Sequence, residues 1–183
     1  MTVTKWAFDE MIHAWWFDEG LLAGEYPGHP SPTRAREKFG LLVASGVRTF
    51  VDLTTPADQL EPYKQLVSEV AAAENLGLRH LSFPIPDLGV VDNEKYDSIC
   101  EAIKEARADG VVYLHCWGGV GRTGTVVACW FGRQGADYAE AMARLSDSRA
   151  GTRKSHRACP EASVQHAFLE RRLARGSCER STT

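Results

Sequence analysis

The chain has 183 residues, enough for one domain with a sizeable core, and its 44% apolar and 25% charged residues are ordinary for a globular protein. A net charge of −3 gives no general pull toward nucleic acid or acidic membranes, and no run approaches the ~20 apolar residues of a membrane span. Neither nucleic acid nor membrane is therefore expected as a partner. The first residues, Met1 to Trp6, lack the charged-then-apolar form of an export leader. Five cysteines at irregular spacing favour reduced thiols over a disulfide framework, and together these features point to a cytoplasmic protein. With no Cys-x-x-Cys pair and no His-Glu-x-x-His string, no metal and no cofactor are expected.

In chain order, residues 13–26 suggest a short hairpin turning near Glu19-Gly20, followed by a breaker-rich loop from Pro27 to Pro32. Thr33 to Ala44 reads as a helix ending near Gly46, and Val47 to Leu53 as a strand. Thr54 to Pro62 is loop, Tyr63 to Asn75 is helical with Gly77 as its stop, and Leu78 to Phe83 is a strand. After a loop from Pro84 to Val91, Asn93 to Ala108 is a helix capped by Asp92. Val111 to His115 is a short buried strand, and helices are expected over Arg122–Phe131, Ala136–Leu145 and Glu161–Leu173. Strands alternating with helices predict an α/β fold, a central and mainly parallel twisted sheet flanked by helices. The chain reads as a single domain with its core over about 20–173 and a frayed tail over 176–183. Such a sheet places its ligand site at the carboxyl ends of its strands.

Residues 115–124, His-Cys-Trp-Gly-Gly-Val-Gly-Arg-Thr-Gly, leave a strand at that end and enter a helix. Gly118, Gly119 and Gly121 allow the backbone N–H groups from Trp117 through Val120 to Arg122 to turn inward around one small anion. The helix adds its positive N-terminal end, and Arg122 a planar fork that grips two oxygens. The same field favours Cys116 as the thiolate, a nucleophile. His115 is expected to hold the loop by hydrogen bonding. Thr123 is expected to donate its hydroxyl to the sulfur and stabilise it as a leaving group. The string Gly119 to Gly124 also matches Gly-x-Gly-x-x-Gly. A dinucleotide site would want an acidic residue about 20 positions on at a strand end, whereas the stretch near Asp137 and Glu140 reads as helix. A Walker loop fails because no lysine precedes Thr123.

The His-Cys-x-x-Gly-x-x-Arg-Thr-Gly string resembles the signature loop of the cysteine-based protein tyrosine phosphatase superfamily. The chain is most similar in layout to the dual-specificity and cyclin-dependent-kinase-associated phosphatases. The resemblance implies that Cys116 attacks phosphorus and that Arg122 and the loop amides hold the phosphate oxygens, without a metal. It also implies that Asp87, in Phe83-Pro84-Ile85-Pro86-Asp87-Leu88-Gly89 and 29 positions before Cys116, is the general acid. Asp92 is the rival acid, although its place before a long helix suits a cap. The implied substrate is a phosphorylated protein, carrying phosphotyrosine and also phosphoserine or phosphothreonine, or a small-molecule phosphate. The alternatives are an inositol-phosphate phosphatase, whose phytase-like relatives carry an acidic residue where this chain has Trp117, and a phosphoprotein-binding module without turnover.

Other features carry weaker signals. Arg149, Arg153, Lys154, His156 and Arg157 read either as a solvated loop or as a contact for a second phosphate. Gln165 resembles a family position that orders the site. Thr54-Thr55-Pro56 and Glu61-Pro62-Tyr63 follow a strand and are placed at the rim. Trp15, Trp16 and Trp130 read as core, and Trp117 as a residue at the mouth that stacks on a substrate ring or braces a neighbouring loop. Cys129 or Cys100 is the candidate to trap an oxidised Cys116.

Overall fold

The computed structural model describes residues 5–174; the tail expected over 176–183, with Cys178, lies outside them. Strands β1 (Ala14–Asp18) and β2 (Leu21–Gly24) form the expected antiparallel hairpin, with Gly20 at φ +68° in the turn. Helix α1 (Pro32–Ala44), strand β3 (Val47–Asp52), helix α2 (Lys64–Glu74), strand β4 (Arg79–Ser82) and helix α3 (Asn93–Ala106) follow. Strand β5 (Val111–His115) leads into helices α4 (Gly121–Arg133), α5 (Tyr138–Arg149) and α6 (Ser163–Leu173). The sheet order is β1-β2-β5-β3-β4, parallel from β2 to β4 and antiparallel only at β1. The α/β expectation with a mainly parallel sheet holds.

Alternation along the central strands sorts side chains onto two cores. Val51, Val112 and Leu114 face the layer built by α3, α4, α5 and α6. Phe50, Tyr113 and Val47 face the layer built by α1 and α2. Helix α4 is buried from Gly121 through Phe131, so it runs through the interior, with Arg122, Thr123 and Thr125 buried in its first two turns. Trp15 and Trp130 are core residues, as expected.

Several boundaries shift for local reasons. Helix α2 ends at Glu74 because Asn75 takes the left-handed conformation (φ 51°), ahead of the expected stop at Gly77. The helix predicted to start at Ala136 starts at Tyr138, because Asp137 and Glu140 close a reciprocal capping box. The loop after β3 is not wholly irregular: Pro56–Asp58 forms a turn of 3₁₀-helix.

Candidate active site

The carboxyl ends of β3 and β5 lie side by side at the centre of the sheet, and the Cys116 loop leaves from there. His115 shares a face with Tyr113, and its ring packs against Tyr26, Tyr63 and Tyr113. Alternation turns Cys116 to the opposite face, where it is 3% exposed. Three loop carbonyls are engaged from outside. Trp117 O accepts from Tyr26 N at 2.9 Å, Gly118 O from Lys154 Nζ at 2.9 Å, and Val120 O from Cys159 Sγ at 3.1 Å. In a trans peptide the following N–H points the opposite way, so this bonding turns the amides of Gly118, Gly119 and Gly121 toward the loop interior. Gly119 has φ +68°, and a Cβ there would lie well inside contact distance of the Gly24 carbonyl. Helix α4 then starts with no side-chain cap at Val120, leaving its N-terminal end for another acceptor.

Arg122 is 2% exposed and held from one side. Its Nη1 and Nη2 donate to Asp58 at 2.8 and 2.9 Å, and Nη1 also donates to Ile85 O at 3.2 Å. Burial opposes the charge on Asp58, but the Arg122 hydrogen bonds outweigh it and hold the carboxyl below the usual range. On Arg122 they likewise outweigh burial and raise an already high value. Arg122 Nε is buried with no hydrogen-bond partner. A guanidinium anchored along one edge, with a bare Nε at an uncapped helix start, suits an oxyanion. Asp58 escaped the sequence reading, which noted only Thr54–Pro56 and Glu61–Tyr63 around it. The available signal was the demand itself: a buried arginine needs a carboxylate, and Asp58 follows the neighbouring strand.

Behind the loop, Tyr63 donates to His115 Nε2 at 2.6 Å, and His115 Nδ1 lies 3.3 Å from Cys116 O. Burial pushes the Tyr63 phenol well above 10 and pulls the His115 imidazole down to about 4. Because Cys116 O can only accept, the proton of the neutral His115 sits on Nδ1, and Tyr63 donates to Nε2. Asp52 lies 3.9 Å from that nitrogen and accepts from Thr54 N and Oγ1 at 2.8 and 2.6 Å and, across 3.2 Å, from His80. Burial works against its charge, yet the His80 and Thr54 bonds hold Asp52 far below the usual carboxylate range. His115 thus meets the loop at Cys116 O, within a network that also includes Tyr63.

Asp87 sits on the loop after β4, which Asp52 and Leu53 hold through backbone bonds to Phe83 and Ile85 at 2.8 and 3.1 Å. Its half-exposed carboxylate lies 3.1 Å from Arg122 Nη2. Gln165 Nε2 donates to Gly89 O at 3.2 Å, while its Oε1 accepts from Glu161 N and Ala162 N at 3.1 Å. Gln165 thus ties the Asp87 loop to the start of α6. Asp92 is the helix cap, accepting from Lys95 N at 2.7 Å. Cys116, Arg122, Asp87, Trp117, Gly118, Val120 and Gly121 all line one cavity of about 620 Å³.

Three expectations need correction. Thr123 does not donate to the Cys116 sulfur: its hydroxyl is fully buried with no hydrogen-bond partner. The basic stretch is only partly solvated: Arg153, His156 and Arg157 are exposed, Lys154 and Arg157 line the cavity, and Arg149 lies in the interior. Arg149 is buried and donates to Lys154 O and Arg157 O at 2.7 and 3.1 Å. Lys154 and Arg153 pair with Glu25 at 2.7 and 3.2 Å, and Arg157 pairs with Glu161. The thiol against the signature loop is Cys159, not Cys100 or Cys129. Burial pushes Cys159 up to about 12 and Cys100 up to about 11, so both stay protonated.

Residues 27–181 match the family model described as the Swiss Army Knife protein, DSP-PTPase phosphatase domain. The chain is 25% identical over 152 residues to protein tyrosine phosphatase domain-containing protein 1 of Danio rerio, an alignment covering 74% of this chain. It spans about a fifth (21%) of that relative's length. Among solved structures it is similar to kinase-associated phosphatase bearing a serine in place of its catalytic-site cysteine (TM-score 0.68, 18% identity, 91% of this chain and 96% of that one). It is also similar to TpbA of P. aeruginosa in complex with phosphotyrosine (TM-score 0.58, 19% identity, 94% and 96%). These two likenesses show the fold, and the family match shows the family: this chain belongs to the Swiss Army Knife, DSP-PTPase phosphatase domain family, within the cysteine-based, dual-specificity-like protein tyrosine phosphatases.

Proposed function

We propose that the protein hydrolyses phosphate monoesters of proteins, phosphotyrosine and also phosphoserine or phosphothreonine, through a phosphocysteine on Cys116. The observation that carries this reading is the buried Arg122, latched by Asp58 along one edge and left with a bare Nε beside Cys116 at the uncapped start of α4. The loop amides and Arg122 take the equatorial oxygens and stabilise charge where it develops. The Cys116 thiolate attacks in line, so the S–P bond forms as the bond to the leaving oxygen breaks. Asp87 gives that oxygen its proton. Asp87, now a carboxylate, takes a proton from water as the water oxygen bonds to phosphorus, and the S–P bond breaks to return the thiolate.

His115 holds the Cys116 carbonyl from behind. The Asp87–Arg122 contact at 3.1 Å belongs to the resting site; an arriving phosphate takes that donor, and the freed Asp87 carboxylate takes up from solvent the proton it then gives to the leaving oxygen. The whole chain acts as one phosphatase domain in this reading. The cationic rim gives no specific support for inositol polyphosphates, because Lys38 and Lys154 share Glu25 and Arg157 has Glu161.

The test is trapping. Asp87→Ala is mixed with p-nitrophenyl phosphate, whose leaving group departs without a proton donor, then quenched and digested. A phosphoryl group on the Cys116 peptide supports the reading, and turnover without a phosphocysteine speaks against it.

A further inference from the structure

Five large apolar side chains are exposed among the described residues, and two of them, Trp117 (55%) and Leu88 (50%), line the catalytic cavity. The Trp117 ring makes no ring contact, and its indole N–H no hydrogen bond, among the described residues. Its backbone, by contrast, is pinned through the carbonyl bond to Tyr26 N. More than half of the side chain stands open to solvent. Leu88 directly follows Asp87 and stands in the left-handed region at φ +55°, an uncommon state for a residue with a side chain. Its turn is closed by the Gly89 N to Pro86 O bond at 3.0 Å and held by Gln165, so Leu88 is kept at the mouth by its backbone. Two apolar side chains held bare at a polar catalytic opening leave surface that an apolar part of the substrate would cover.

We propose that Trp117 and Leu88 form a two-sided apolar clamp on the group esterified to the phosphate, and so set a preference for aryl over alkyl phosphates. This rests on the reading of the same cavity as a phosphatase site. Trp117 lies on the signature loop, where it meets the substrate just outside the phosphate. Leu88 lies on the acid loop, so a ring gripped by it brings the leaving oxygen toward Asp87. A phosphotyrosine ring offers a planar apolar face to both, whereas the short methylene of phosphoserine or phosphothreonine offers almost none. The selectivity comes from contact area at the mouth, so alkyl substrates are still hydrolysed, only less well.

The experiment compares kcat/KM for two peptides of one sequence, carrying phosphotyrosine or phosphothreonine at the same position. The ratio of the two constants cancels any loss common to both substrates. Trp117→Ala should lower that ratio roughly tenfold, the scale of one aromatic contact with its buried area. Leu88→Ala should lower it a few-fold, and Trp117→Phe should keep most of it. A ratio unchanged in both alanine variants, with both peptides still hydrolysed, overturns the clamp and leaves the phosphatase reading intact. Failure of the unmodified protein to hydrolyse either peptide overturns the phosphoprotein reading and the clamp with it.

Discussion

Replacing Asp58 with Asn tests the latch that shapes the phosphate site. The two side chains are each 2% exposed, and the carboxylate takes two bonds from the guanidinium at 2.8 and 2.9 Å. Asparagine keeps the shape, but it removes the charge and sets an amide N–H against an arginine N–H. Breaking one partner of a buried ion pair costs about 3–5 kcal/mol, and the retained amide oxygen keeps one bond, so about 3 kcal/mol is expected. For a domain of this size that is a fall in Tm of roughly 6–12 °C. Arg122 also loses its fixed edge, so kcat/KM for p-nitrophenyl phosphate should fall about tenfold or more. Added inorganic phosphate should raise the Tm of Asp58→Asn more than that of the unmodified protein, because the anion supplies the missing counter-charge. The assay is thermal unfolding with and without phosphate, beside steady-state kinetics. A variant melting within about 2 °C of the parent with unchanged kcat/KM would refute the reasoning.

Acid should act through His115. Its folded value of about 4 lies below the ordinary 6.5, so the unfolded chain binds the proton first. The stability it confers is complete above pH 6.5 and is lost as pH falls toward 4, by about 3 kcal/mol in all. Urea unfolding across that range should show a flatter slope for His115→Gln, whose oxygen still accepts from Tyr63; an equal slope would contradict the assignment. Gly119→Ala combines a left-handed φ with a clash against Gly24, and should cost roughly 2 kcal/mol or more and abolish most phosphate release, as melting and p-nitrophenyl phosphate kinetics would show. Asp87→Asn should slow hydrolysis of poor leaving groups about 10²-fold or more while affecting p-nitrophenyl phosphate less. Equal losses on both substrates would remove Asp87 as the acid.

Much of the fold was legible because each core strand carries its own signal. Val111 to Leu114 is a short apolar run, and Val47 to Asp52 mixes β-branched and aromatic residues before a breaker-rich loop. The signature loop was legible because its glycines, cysteine and arginine are contiguous. What the sequence hid is set by contacts distant along the chain. Asp58 meets Arg122 across 64 residues, Tyr63 meets His115 across 52, and Gln165 meets Gly89 across 76. Cys159 lies against Val120 only because the α5–α6 connection folds back over the loop. The charges from Arg149 to Arg157 looked like a surface patch, because spacing alone does not show that Glu25 gathers three cations.

The most direct test of the account is phosphate release from p-nitrophenyl phosphate in EDTA, with Cys116→Ser beside the unmodified protein. The account predicts activity that survives EDTA and vanishes with the cysteine. Activity lost to EDTA, or kept by Cys116→Ser, would contradict it.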